Sequence, residues 1–284
     1  MIPVAFDYLR PSTVDDAVAA LAEAGDEAKV IAGGQSLLPV LRLRLAAPSL
    51  LVDIGGMPQL RGIREEGDAL VIGAMTTHDE VASSPLVLQH APLLAKAAAT
   101  VGDRQVRHRG TLGGSLAHAD PAADLPAVAV ALDASFVVVG PGGRRTISAS
   151  EFGVDLFTTA LAPDEVLVEV HVPKLTGWGA HYEKFHRTVQ AWAIVGVAAT
   201  VQRSNGTIGS ARVALTNMGP TPVRATQLEA ALAGRPADAA AIRDACAVAD
   251  EGSAPVDDLN GSADYRRHLV RVLAARAVAA AAGV

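Results

Sequence analysis

Two stretches of this chain set paired glycines beside hydroxyl or amide side chains: Ala-Gly-Gly-Gln-Ser at 32–36 and Thr-Leu-Gly-Gly-Ser at 111–115. A glycine pair lets successive backbone N–H groups converge with no Cβ in the way, which makes a concave nest of donors for an anion. Gly33, Gly34, Gln35 and Ser36 form one such group, and Thr111, Gly113, Gly114 and Ser115 form the other. Two nests on one chain suit a ligand with two linked phosphates, gripped by neutral donors. Neither turn holds the lysine of a P-loop, and no Gly-x-Gly-x-x-Gly opens a helix behind a strand. That argues against an NTPase and against a standard nicotinamide-binding domain. Singly, each motif is what an ordinary turn after a strand looks like; the pairing is what points to a ligand.

Other chemistry-bearing residues are fewer. His118, Asp120 and Asp124 suggest a metal or acid–base site, but a third ligand is missing and Pro121 makes a loop. Asp120 reads as a turn or cap before a helix. Asp124 can cap the apolar helix that follows or accept from a ligand hydroxyl, and composition favours the cap. Arg104, Arg107, His108 and Arg109 make a compact basic run that reads first as a solvated face, with a phosphate neighbour or an acidic partner as alternatives. Lys184 and Arg187 lie in a polar strand and read as surface-exposed side chains. Trp192, one of two tryptophans, reads as core or as a flat face against a planar ring. There is no Gly-x-Ser-x-Gly, no Cys–His pair pattern and no His-Glu-x-x-His, so no catalytic residue and no metal ligand is assigned.

The elements that must position these residues are legible from periodicity. Thr13, with Asp16 three residues on, caps a helix whose Val14, Ala17, Val18 and Leu21 form one face before Gly25 ends it. Ala-Lys-Val-Ile-Ala is a strand feeding the first glycine turn; residues 49–56 and 69–76 hold further strands. Thr77 and Glu80 form a capping box, and one long helix is expected over Leu86–Val101. Another helix runs from Asp124, with Pro126 tolerated in its first turn. A hairpin over 135–149 and an alternating strand ending at Pro173 follow. Beyond about Leu175 come three long strands, two of them joined by Ser-Asn-Gly-Thr, then helix to the end. Strands and helices without βαβ alternation make the class α+β.

Half of the 284 residues are apolar, enough for more than one core. No window offers the roughly 18 uninterrupted apolar residues of a membrane span. The opening residues lack a basic region followed by an apolar stretch, so no secretory signal is expected. A net charge of -6 argues against nucleic acid as the main ligand. Cys246 is the only cysteine, which excludes a disulfide framework or an iron–sulfur cluster held by this chain alone. The expected setting is cytoplasmic.

Taken in order, the segments AGGQSLLP, LRLRLAAPSLLVDI, LVIGAMTTH, VRHRGTLGGSLAHADPAADLPA, YEKFHRTVQAWAIVGVAA and SADYRRHLVRVLAARAV resemble one family throughout. It is the FAD-binding medium subunit of molybdenum hydroxylases, the xanthine dehydrogenase family, and the branch it looks most like is that of aerobic carbon monoxide dehydrogenase. The resemblance implies a vanillyl-alcohol-oxidase or PCMH-type FAD-binding domain over 1–175, with α/β subdomains of about 1–55 and 56–175. A C-terminal domain over 176–284, with a three-stranded antiparallel sheet and helices, would follow. It implies that both glycine turns hold the FAD pyrophosphate. Lys29, Val30, Ile31, Ala32, Gly33, Gly34, Gln35 and Ser36 would line the dinucleotide, with Thr111, Gly113, Gly114 and Ser115 facing them. Asp124 would be the acidic cofactor residue, Val101 and Leu167 apolar contacts, Lys184 a basic one, and Trp192 a cover for the flavin ring.

The implied function is electron relay: from [2Fe–2S] clusters of a small partner subunit, fed by the molybdenum cofactor of a large one, to an external acceptor, within a dimer of heterotrimers, with docking at the inner membrane face through that acceptor as the variation. The alternatives are the medium subunit of an aldehyde, xanthine or N-heterocycle dehydrogenase, a self-contained flavin oxidoreductase, or a nucleotide-binding scaffold.

Overall fold

A computed structural model describes residues 2–284. Strand β1 (Asp7–Leu9) and helix α1 (Val14–Ala24) open the chain. Thr13 caps α1 by accepting from the Asp16 N–H, and Ala17, Val18 and Leu21 are its buried face. Strand β2 (Ala28–Ile31), helix α2 (Leu37–Arg42) and strand β3 (Leu50–Asp53) follow. The three strands form a parallel sheet with β3 central. The first glycine turn therefore leaves the end of an edge strand and enters a short helix.

The second sheet has five antiparallel strands in the order β4 (Ile63–Glu66), β5 (Ala69–Gly73), β10 (Val166–Pro173), β6 (Ser135–Gly140) and β7 (Gly143–Ser148). A two-stranded ribbon, β8 (Gly153–Asp155) and β9 (Thr158–Thr159), lies between β7 and β10 in sequence. Helices α3 (His78–Ser83), α4 (Pro85–His90), α5 (Pro92–Ala99), α6 (Arg104–Arg107), α7 (Leu112–His118) and α8 (Asp124–Ala131) connect β5 to β6, and α9 (Ala149–Phe152) follows β7. The single helix expected over Leu86–Val101 is instead two, because Ala91 precedes Pro92 and takes φ -141°, ψ 54°. The proline ring excludes helical backbone at the residue before it. Side chains of α5, α7 and α8 pack on one face of this sheet, while Val137, Val166 and Val168 turn to the other face, toward α1 and β3.

The third sheet is antiparallel, in the order β11 (Gly179–Phe185), β12 (Val195–Ser204), β13 (Thr207–Thr216) and β14 (Val223–Arg224). Asn205 and Gly206 both take positive φ, 50° and 81°, as a two-residue hairpin turn requires. Its three long strands are those expected; β14 is a two-residue edge too short to leave a period in the sequence. Helices α10 (Thr226–Leu232), α11 (Ala239–Ala245) and α12 (Ala263–Ala282) follow, and α12 buries Leu269, Val270, Leu273, Ala274, Ala277 and Val278 against the sheet. No helix among the described residues is long and apolar enough to cross a membrane.

Candidate functional site

The two glycine turns, eighty residues apart in sequence, touch. A Cβ placed on Gly33 would lie 2.1 Å from the Arg109 carbonyl oxygen and 2.8 Å from the Gly110 Cα, so only glycine allows this approach. From the other side, Gly114 faces the Ala32 methyl, 3.6 Å from an added Cβ.

The first turn is a donor surface. Gly34 takes φ 75°, the left-handed conformation that re-aims successive amides. Among the described residues, the N–H groups of Gly33, Gly34, Gln35 and Ser36 have no acceptor within the chain. Three of their carbonyls are used: Gly33 accepts from Gln35 Nε2, Gly34 from Leu38 N–H and Ser36 from Val40 N–H. Four consecutive unpartnered amides are the donor set that a phosphate needs. Lys29, on the same edge strand, is exposed, and Val30, Ile31 and Ala32 are half-buried behind the turn.

The facing turn is not a second nest of free amides, which corrects the symmetric reading. Leu112 N–H donates to Thr76 O at 2.9 Å, Gly113 N–H to Ala74 O at 2.9 Å, Gly114 N–H to Thr111 Oγ1 at 3.1 Å and Ser115 N–H to Thr111 O at 3.0 Å. Thr111 is the N-cap of α7, and Gly113 is glycine because a Cβ would meet Ala74 at 2.5 Å. What this turn can offer a ligand is the Ser115 hydroxyl, which has no partner within the described residues. Under the turn lies His78, which sequence reasoning missed. Its ring is buried against Gly110, its Nδ1 has no partner, and burial, with Arg107 nearby, pushes its pKa down from 6.5 to about 4.

Asp124 does not cap its helix; it is the first residue of α8, and Ala123 holds the cap position. Both its oxygens are engaged, Oδ1 accepting from the Tyr182 hydroxyl at 2.7 Å and Oδ2 from Lys184 Nζ at 2.8 Å. The Asp124 and Lys184 side chains are each 3% exposed, so Lys184 is not the surface residue that its polar strand suggests: the carboxylate and the Thr100 carbonyl hold it inside. Burial pushes the Asp124 carboxyl up, and Lys184 and Tyr182 pull it back. Tyr182 is held protonated far beyond its usual range by burial and by the neighbouring carboxylate, and its oxygen lies 3.2 Å from Thr216 Oγ1. Lys184 also donates to Thr100 O at 3.3 Å, which places it beside Val101. Tyr182 and Thr216 left one usable signal, since Tyr182 and Lys184 stand two apart on an alternating strand and so share a face.

Leu167 is a core residue at the bulge of β10; Val168 of that bulge accepts from Ala74 N–H, and Ala74 in turn supports Gly113. Trp192 is 52% exposed, on the loop from β11 to β12. Gln190 of that loop hydrogen-bonds Asp103, the N-cap of α6, two residues from Val101. The structure thus brings Val101, Asp124, Lys184 and the 186–193 loop to one region. Asp120 makes the turn expected of it, accepting from Ala122 N–H at 2.9 Å. The basic run divides: Arg107 bonds the Val101 and Gly102 carbonyls, His108 pairs with Asp79, and Arg104 and Arg109 are exposed. Among the described residues no group of three His, Cys, Asp or Glu is placed to hold a metal ion.

Two family models cover nearly the whole chain. The FAD-binding domain in molybdopterin dehydrogenase matches residues 4–175, and the CO dehydrogenase flavoprotein C-terminal domain matches residues 180–281. The chain belongs to this flavoprotein family. It is 44% identical to the carbon monoxide dehydrogenase medium chain of Hydrogenophaga pseudoflava, across 99% of this chain and 98% of that one. It is 41% identical to subunit alpha of the 6-hydroxypseudooxynicotine dehydrogenase complex of Paenarthrobacter nicotinovorans, across 99% and 96%. Among solved structures, reconstituted CO dehydrogenase from Oligotropha carboxidovorans superposes with a TM-score of 0.97 at 38% identity, covering 100% of this chain and 99% of that one. The residues present fit the family's cofactor: the unpartnered amides of Gly33–Ser36 are a donor set suited to a diphosphate, and glycine at 33 keeps the two turns in contact.

Proposed function

We propose that this chain is the FAD-binding medium subunit of a three-subunit molybdenum hydroxylase of the carbon monoxide dehydrogenase type. The observation that carries it is the row of four free amides on the first turn, pressed against the second turn, in a chain similar over its whole length to such subunits. Gly33, Gly34, Gln35 and Ser36 donate to the diphosphate, and Ser115 adds a hydroxyl from the facing turn. Thr111, Gly113 and Gly114 act by holding that turn against Ala74 and Thr76. Lys29, Val30, Ile31 and Ala32 line the dinucleotide from the edge strand. Val101, Lys184 and Trp192 surround the flavin end, Leu167 backs it from the core, and Asp124 orients Lys184. Bound here, FAD would supply the chemistry of taking up electrons singly and releasing them in pairs.

The division into a FAD-binding part over 1–175 and a C-terminal part over 176–284 belongs to this reading, as do the partners. A small subunit with [2Fe–2S] clusters delivers electrons, and a large subunit with the molybdenum cofactor oxidises the substrate, in a dimer of heterotrimers in the cytoplasm. The 41% identity to a subunit of the 6-hydroxypseudooxynicotine dehydrogenase complex favours one second reading, the same relay serving an N-heterocyclic substrate.

The test is purification of the chain with the products of its neighbouring reading frames, followed by flavin, iron and molybdenum analysis and anaerobic addition of substrates. One FAD per chain, with flavin bleaching under carbon monoxide, is expected. Bleaching by an N-heterocycle alone selects the second reading, and a colourless chain overturns both.

A further inference from the structure

Helix α8 is fastened to the C-terminal sheet at both ends. Its first residue, Asp124, takes bonds from Tyr182 and Lys184 of β11; at its far end, Arg224 of β14 donates to Val130 O at 2.8 Å and pairs with Asp133 at 2.7 Å. The two fastenings differ in kind. Asp133 is half exposed, whereas Asp124, Tyr182 and Thr216 are among the most buried polar side chains of the molecule. The space for the Tyr182 hydroxyl is kept by Gly196, which pairs across the sheet with both Lys184 and Thr216. A Cβ there would lie 2.5 Å from the Tyr182 oxygen and 2.9 Å from the Thr216 Cβ.

A buried carboxylate shared between a phenol and an ammonium cannot rotate freely. With Oδ1 bound by Tyr182, only Oδ2 is left for Lys184, and the amine is then fixed between Oδ2 and Thr100 O, next to Val101. We propose that Tyr182 is a positioning residue for the cofactor: by orienting Asp124 it sets the place and the counter-charge of Lys184 at the flavin end, with Gly196 reserving the room it needs. This rests on the reading of Lys184 and Val101 as cofactor-side residues. The phenol also withdraws charge from the carboxylate, so its loss raises the proton affinity of Asp124 and leaves Lys184 less compensated.

The experiment compares Tyr182→Phe with Arg224→Met in the FAD-loaded complex, reading flavin midpoint potential by dye equilibration, FAD dissociation and Tm. Phenylalanine keeps the ring and its packing, and removes only the donor. For Tyr182→Phe the expected result is a more positive flavin potential and FAD binding weakened about ten-fold, the scale of one charge-assisted hydrogen bond lost when Lys184 is no longer held in place. Arg224→Met, which cuts the other end of the same helix, is expected to lower Tm with the potential unmoved. Gly196→Ala, which crowds the hydroxyl without removing it, is expected to move the potential in the same direction. A Tyr182→Phe potential that stays put or falls overturns the proposal, as does an equal shift in Arg224→Met. Wild-type complex without FAD would instead overturn the function proposed above.

Discussion

The two glycine turns share a pattern of residues and differ in where their amides point. At Gly33–Ser36 four consecutive N–H groups are left over; at Leu112–Ser115 all four are spent on Thr76, Ala74 and Thr111. The first turn lies beyond an edge strand, where no neighbouring strand claims its donors. The second crosses the end of β5 and enters a helix whose cap, Thr111, claims one donor at once. Glycine therefore serves opposite purposes in the two places. In the first it leaves the backbone donors open; in the second it lets the backbone close on itself and form the wall that the first leans on.

The largest expected effect falls where the turns meet. In Gly33→Ala the new methyl would collide with backbone at 2.1 Å, and no side-chain movement relieves it. FAD binding, measured by flavin titration of the apo chain, should weaken by more than about a hundred-fold, or roughly 3 kcal/mol. Full retention would mean that the contact between the turns does not shape the site.

An intermediate effect is expected beneath the second turn. His78 is neutral when folded down to about pH 4, whereas its unfolded pKa is near 6.5. Between these values the unfolded chain binds the extra proton, so acid favours unfolding. Stability contributed by the buried neutral ring is present above pH 6.5 and is lost as pH falls toward 4, by as much as about 3 kcal/mol. His78→Asn should flatten that part of the curve of denaturation midpoint against pH; an unchanged slope would remove His78 as its source.

The smallest effect separates the turns most cleanly. Thr111→Val removes the cap acceptor for Gly114 N–H and should cost about 1 kcal/mol in urea denaturation. Ser36 makes no side-chain cap bond to α2, so Ser36→Ala should change stability by less than about 0.5 kcal/mol while weakening FAD binding. Similar stability losses in both variants would erase the distinction between a ligand-facing turn and a structural one.

Much of the fold could be read ahead of the structure because its signals are local. The Thr13 and Thr77 caps, the Asn205–Gly206 hairpin and the alternation of Val166–Val172 depend on neighbours within a few residues. The break at Ala91 was equally local, and Pro92 should have outweighed the apolar periodicity on either side of it. Asp124 shows the limit. Its sequence context, one residue before a run of apolar helix, is that of a cap, and nothing nearby signals that Tyr182 and Lys184 will arrive from sixty residues away. His78 carried no warning either, since a histidine in the first turn of a helix is ordinarily solvated.

The residue types at the two turns, the class of the fold and the family are legible in the chain alone, because glycine, caps and strand alternation act over short range. Which turn keeps its donors and which carboxylate becomes a clamp is settled only when the chain folds. A backbone amide is free or spent according to whether another segment of chain brings an acceptor within about 3 Å, and that depends on contacts between residues distant in sequence.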